Sequence, residues 1–152
     1  MNVIRLILVF SYLLLSVNIL SAACSVSTTP VNFGDYDVFS SSPTDSTGFI
    51  TITCDEVPPP TVTVSIGQSP NSGGFNPRKM KLTGGTDLLN YNLYTSGSYA
   101  NIWGDGTSGT VTKTVAVHTN QPETLKVFGR IPPLQDVSHG TYTDTLTVTI
   151  NW

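Results

Sequence analysis

The sequence predicts an all-β sandwich domain preceded by a cleaved export signal. Three observations carry that expectation. Apolar residues alternate with polar ones in short runs, each run ends at a cluster of Gly, Pro, Asn or Asp, and charged residues make up only 11% of the 152. Long helices draw on Ala, Leu, Glu, Lys and Arg, which are too sparse here to support them. A closed barrel is the alternative architecture for the same pattern.

The first element is not part of the domain. Arg5 supplies a positive charge, Leu6 to Leu20 is almost uninterrupted by polar residues, and Ser21, Ala22 and Ala23 follow. That is the order of a secretory signal peptide, with cleavage between Ala23 and Cys24. Residues 1–23 are therefore read as signal and residues 24–152 as the mature domain. The stretch is long enough to cross about 30 Å of hydrocarbon, but Asn18 and the small-residue terminus favour cleavage over a retained anchor. A lipoprotein signal would want a large aliphatic residue where Ser21 stands. The expectation is export, through a periplasm to the cell surface or beyond, with no stable membrane insertion.

Export also settles the reading of the two cysteines, because an oxidising compartment lets a disulfide persist. Cys24 and Cys54 are expected to pair, closing a loop of about 30 residues that contributes about 3.6 kcal/mol on the chain-entropy estimate. Two thiols without neighbouring histidines make no zinc site.

The strands follow in order. Cys24 to Val38 is a run with Val26, Val31, Phe33, Tyr36 and Val38 as inward candidates, kinked or bulged at Pro30 and Gly34. Ser40 to Thr47 reads as a loop. Phe49 to Cys54 sends Ile50, Ile52 and Cys54 to one face. Pro58, Pro59 and Pro60 lack amide donors and connect stiffly into a strand in which Val62, Val64 and Ile66 alternate with Thr61, Thr63 and Ser65. Arg78 to Leu82 and Leu88 to Tyr94 are short strands around the turn at Gly84 and Gly85. Ser96 to Gly109 is a long loop anchored by Tyr99, Ile102 and Trp103. Val111 to Val117 and Thr124 to Ile131 are strands, the second ended by Pro132 and Pro133. The last strand is the clearest: Tyr142, Leu146, Val148, Ile150 and Trp152 share one face, with Thr143, Thr145, Thr147, Thr149 and Asn151 on the other. Seven or eight short strands with an inter-strand disulfide fit an immunoglobulin-like sandwich.

No catalytic residue, cofactor site or metal site stands out. His118 and His139 lie at a strand end and in a turn, and no Gly-x-Ser-x-Gly elbow is present. The aspartates fall mostly in turns, where their side chains bond the local backbone. The glycines from Gly104 to Gly109 lack the lysine of a phosphate-binding loop and precede a strand. The seven Lys and Arg are scattered and the net charge is −3, which argues against a nucleic-acid partner. Tyr91, Tyr94, Tyr99 and Trp103 offer an alternative function, a carbohydrate- or surface-binding module, against the competing reading that they pack in the core.

The order of six blocks is more specific than any of them. Cys24 is followed by Val31-Asn32-Phe33-Gly34-Asp35-Tyr36, then Ile50 to Cys54, Tyr91-Asn92-Leu93-Tyr94, Trp103-Gly104-Asp105-Gly106, Val127 to Ile131, and Gly140-Thr141-Tyr142-Thr143-Asp144 leading into the last strand. This series resembles the spore coat protein U domain family, whose members include a myxobacterial spore coat protein and subunits of archaic chaperone–usher pili. The resemblance implies a sandwich lacking its final strand, supplied first by a periplasmic chaperone and then by the N-terminal extension of another subunit delivered at an usher. It implies a surface structural protein, a pilus- or coat-type subunit with a role in adhesion or biofilm, and not an enzyme. The strand-accepting groove is expected beside Tyr142, Leu146, Val148, Ile150 and Trp152. Pilus subunits of this kind carry an alternating apolar stretch before the first cysteine. Cleavage before Cys24 leaves none, so acceptance of a strand is expected and donation is not.

Overall fold

The computed structural model describes residues 23–55 and 61–152. The expected signal peptide, residues 1–23, lies outside them apart from Ala23, and so does the expected Pro58–Pro60 connection. Among the described residues the chain forms no helix and nine strands, all antiparallel: β1 Cys24–Thr29, β2 Thr44–Cys54, β3 Thr61–Ile66, β4 Arg78–Leu82, β5 Leu88–Tyr94, β6 Lys113–Ala116, β7 Glu123–Ile131, β8 Tyr142–Thr143 and β9 Val148–Asn151. Six of them make one sheet in the order β1-β2-β7-β5-β4-β8, and three make the other in the order β6-β3-β9.

The period-two pattern explains the layering. In β3, Val62, Val64 and Ile66 are fully buried while the residues between them are not, and β2 does the same with Ile50, Ile52 and Cys54. With Leu89, Tyr91 and Leu93 of β5 and Val127 and Ile131 of β7 they form one core between the sheets.

Three strand boundaries differ from the sequence expectation. The first run ends at Thr29, because Pro30 has no amide to continue the ladder. Residues 31–38 leave the sheet and cross its inner face. The Ser/Thr/Pro stretch expected to be a loop is strand from Thr44 onward, paired through Ser46↔Gly129 and Gly48↔Val127 with β7. Small residues are required at this point: a Cβ on Gly48 would stand 2.6 Å from the Thr29 carbonyl, and one on Gly129 would stand 2.6 Å from Val31 and 2.7 Å from Phe33. The expected single terminal strand is two. β8 pairs with β4 in the larger sheet, and β9 pairs with β3 in the smaller one.

Cys24 and Cys54 are bonded, directly opposed across β1 and β2 with Cα atoms 4.1 Å apart. Beside them Thr119 bridges to Cys54, near the Thr61 end of β3, where Thr61 pairs with Ala116.

The other end of β3 is held by a buried cation. Arg78 is fully inaccessible, and its guanidinium donates to the carbonyls of Ile66 (3.1 Å), Gly67 (2.9 and 3.1 Å) and Trp103 (2.8 Å) and to Asn92 Oδ1 (2.9 Å). It lies 5.4 Å from the centroid of the Phe75 ring. Every acceptor is neutral, and burial lowers the guanidinium pKa below its usual range. Trp103, also fully buried, donates its indole N–H to the Val64 carbonyl at 3.0 Å. Arg78 and Trp103 together tie the two sheets.

Two predictions follow from these ties. Cys54→Ser should lower the unfolding free energy by about 3–4 kcal/mol, measured by denaturant titration, and reductant should bring the wild type to the same value. Arg78→Met should cost about 3–5 kcal/mol because several buried carbonyls lose their donors. Arg78→Lys should recover only part of this, since an ammonium lacks the planar fork.

Candidate functional site

The segment that leaves the sheet at Pro30 forms one wall of a cleft. Val31 and Phe33 rest over Gly48 and Gly129, and Phe33 meets Tyr91 edge-on with ring centroids 6.1 Å apart. Asn32 Oδ1 accepts the Gly34 N–H at 3.0 Å, where Gly34 takes φ +67. Tyr36 then fixes the far end of the wall: its hydroxyl donates to the Pro132 carbonyl (3.0 Å) and accepts the Gln135 N–H (2.8 Å).

The opposite wall is residues 137–146. Ser138 donates its N–H to Asp87 Oδ2 (3.0 Å), and Tyr142 donates its hydroxyl to the Ser138 carbonyl (2.8 Å). Between the walls lies a cleft of about 1040 Å³ with Met80, Leu89, Tyr91, Leu93 and Ile131 as its floor. The floor belongs to the buried core, and the wall residues Val31, Phe33, Tyr36, Val137, Tyr142 and Leu146 are half-buried against it.

One polar cluster pins the place where the terminal chain passes between sheets. Asp144 accepts the Tyr91 hydroxyl at Oδ2 (2.7 Å), and at Oδ1 it accepts Asn71 Nδ2 (3.1 Å) and the Thr145 N–H (2.9 Å). Burial, reinforced by Asp144, pushes the Tyr91 pKa well above the usual phenol range, so the hydroxyl remains a donor. From Tyr142 to Ile150 half-buried and exposed residues alternate without a break. The chain keeps one face toward the core while changing sheets.

β8 and β9 are edge strands among the described residues. Gly67 N–H donates to the Thr147 carbonyl at 2.8 Å, so the odd-numbered residues of this stretch address β3. The amides and carbonyls of Val148 and Ile150 therefore point to the open side. The cleft has a sign as well. Asp35, Asp37 and Asp144 line it, and no Lys or Arg does.

Of the residues expected in a groove, Tyr142 and Leu146 line this cleft, while Val148 and Ile150 continue along β9 outside its lining, packed against the core. Trp152 follows β9 and is 51% exposed. The four aromatics of the alternative surface module separate. Trp103 and Tyr91 are core residues with 0% and 5% exposure, so neither ring face is open to stack on a sugar. Tyr94 and Tyr99 lie on the outer face of the larger sheet, edge to face at 5.4 Å.

Sequence reasoning missed the 31–38 wall, which it treated as a kinked strand, and the Asp144 cluster. Pro30 and Gly34 were the available signal for the first. The Gly104–Gly109 turn is closed locally by Asp105 Oδ1, which accepts the Thr107 N–H (2.9 Å) and hydroxyl (2.6 Å). Among the described residues no group of His, Cys, Asp and Glu could hold a metal, and no helix is long and apolar enough to cross a membrane.

The sequence profile of the spore coat protein U domain matches residues 11–149. The chain belongs to that family. It is 32% identical over 130 residues, 80% of its own length and 71% of the relative's, to Protein U of Myxococcus xanthus. Its fold is similar to a chain in the CsuC–CsuE chaperone–tip adhesion subunit pre-assembly complex from archaic chaperone–usher Csu pili of Acinetobacter baumannii, with a TM-score of 0.57 at 23% identity. That similarity covers 87% of this chain and 40% of the other. A spore coat protein U domain thus occupies nearly all of the described chain on an all-β, immunoglobulin-like frame.

The Tyr91–Asp144 bond ties the cleft's floor to its wall. Tyr91→Phe should therefore destabilise the domain by about 1–3 kcal/mol, the cost of losing a hydrogen bond to a charged, half-buried acceptor. Amide exchange should accelerate at residues 144–147 more than in β2.

Proposed function

We propose that the chain is an exported structural subunit of a surface fibre or coat, of the pilus type, and that the cleft receives a β-strand from a partner. The carrying observation is that an apolar-floored cleft of about 1040 Å³ is walled by residues 137–146, which lead straight into β9, an edge strand among the described residues whose Val148 and Ile150 backbone groups face away from β3. A strand laid there would bond the amides and carbonyls of Val148 and Ile150, and its alternate side chains would reach the floor at Met80, Leu89 and Leu93. Tyr142, Leu146, Val148 and Ile150 are the accepting edge, with Trp152 at its end. The partners are a periplasmic chaperone during export, an usher at the outer membrane, and then other subunits. Adhesion or biofilm formation is the role this assembly would serve.

Membership of the spore coat protein U family and the fold shared with a chaperone–subunit complex support this reading. The test is a thermal-shift titration of the purified exported protein with extended peptides of alternating apolar residues. The melting temperature should rise with peptide concentration as mass action requires, scrambled peptides of equal composition should be inert, and Leu146→Arg should abolish the effect. Because the cleft's charged lining residues are all acidic, peptides flanked by lysine should act at lower concentration than those flanked by glutamate. A melting temperature indifferent to every alternating peptide would refute strand acceptance.

A further inference from the structure

The cations that look scattered in sequence are gathered by the fold. Strand register fixes which face each occupies. Lys79 is opposite Asn90 and Lys81 opposite Leu88, whereas Met80 is opposite Leu89 on the floor of the cleft, so Lys79 and Lys81 project from the outer face of the larger sheet. On β7, Val127, Gly129 and Ile131 face inward, so Lys126, Phe128 and Arg130 share that same outer face. Asn92 opposite Arg130 and Tyr94 opposite Phe128 link the two sets across β5. Four of the chain's seven Lys and Arg thus lie on one sheet face.

They also lie in order. β4 and β7 run in the same direction on either side of β5, and the register puts Lys79 and Lys81 beyond Arg130 along the sheet, with Lys126 before it. At about 3.3 Å per residue and about 4.8 Å per strand, Lys126, Arg130, Lys79 and Lys81 trace a diagonal of roughly 25–30 Å. Among the described strand residues of this face the carboxylate is Asp45, and Arg130 engages it with two bonds of 2.7 Å, which lowers the Asp45 pKa. That leaves the three lysines without a strand carboxylate of this face as partner among the described residues, on a chain whose net charge is −3.

The aromatic residues steady this row instead of offering a stacking platform. Arg130 lies over the Tyr99 ring at 3.6 Å and Lys126 over Phe128 at 5.3 Å, so the ring faces are used by cations. A single-stranded nucleic acid is held by bases stacking on free rings, and a duplex is read by an element entering a groove, which a flat sheet lacks. Along the row the face carries Thr47 opposite Phe128 and Asn90 opposite Lys79, with Thr51 and Thr124 just beyond Lys126. We infer that the diagonal from Lys126 past the Arg130–Asp45 pair to Lys79 and Lys81 is a binding track for a linear acidic polysaccharide, whose carboxylates meet the three lysines and whose hydroxyls meet the polar side chains along the row. The track is on the opposite side of the larger sheet from the cleft and does not depend on strand acceptance.

The experiment measures binding of the full exported protein to immobilised alginate, with dextran as the neutral polymer, duplex DNA and anionic phospholipid vesicles as the other polyanions, and melting temperature as the check on folding. Alginate should retain the protein at low salt and release it as salt rises, and dextran should not bind. Lys79→Gln, Lys81→Gln and Lys126→Gln should each weaken binding about two- to fivefold, and the triple variant tenfold or more. Lys113→Gln removes an equal charge from the other sheet and should leave alginate binding unchanged, even where loss of its contacts to Thr95 and Trp103 lowers the melting temperature. Absence of alginate binding, an equal loss from Lys113→Gln, or DNA or vesicles bound as tightly as alginate would each overturn the proposal.

Discussion

The two sheets are held at one end by a buried guanidinium without a carboxylate. Arg78 satisfies carbonyls at the end of β3 and in the Trp103 loop that would otherwise be buried without donors, and orphaned groups of that kind are what a sandwich tolerates least. Only arginine offers enough donors in one plane for the task. The Cys24–Cys54 bond joins β1 to β2 within the larger sheet. Beside it, near the other end of β3, the Cys54 carbonyl accepts the Asn120 N–H (2.8 Å) from the turn after β6 of the smaller sheet, so the layers are tied near both ends of that strand. The long side between them can then stay open without the sheets parting.

That open side explains how one strand pattern serves two sheets. The inward face of the larger sheet and that of the smaller sheet both look into the same core, so a chain crossing from one to the other keeps its alternation while its hydrogen-bond partner changes. The period of two reports which face is buried and says nothing about which strand lies alongside. The break was nonetheless marked. Tyr142, Leu146, Val148 and Ile150 form an apolar series whose missing member is Asp144, and that aspartate is the residue bonded to Tyr91 and Asn71 at the crossing.

Where composition and packing agreed, the sequence could be read to the residue: β3, β4 and β5 have the expected bounds, and the disulfide is the expected one. Where they diverged, composition misled. Residues 44–48 look like a loop because they are small and polar, yet Gly48 has to be small because Thr29 and Val31 lie against it, as Val31 and Phe33 do against Gly129 on the neighbouring strand. Arg78 sits in a short strand amid lysines; its register with Met80 puts it on the inward face, but nothing in one dimension shows that it is spent on the carbonyls of Ile66, Gly67 and Trp103. Trp103, flanked by a glycine, reads as a loop aromatic, but its indole and its carbonyl are both spent inside the core. These are contacts between residues tens of positions apart, and local pattern carries no record of them. The cleft was legible only as an edge, from its last strand. Its other wall and its acid lining depend on where residues 31–38 come to rest.

An edge of this kind invites self-association, because one unpaired strand is a template for another. The charge distribution works against that outcome. The cleft presents Asp35, Asp37 and Asp144 without a cation, so two copies brought edge to edge meet with like charge, which disfavours pairing in a partly desolvated setting. Three of the four lysines lie on the far face of the larger sheet, and Lys113 is on β6 of the smaller one. The open edge is thereby poor at binding itself while remaining shaped for an apolar strand, and a strand with its own positive charge would find the electrostatics reversed in its favour. For the strand acceptance proposed above, selectivity would reside less in the apolar floor, which any alternating strand would satisfy, than in the aspartates around it.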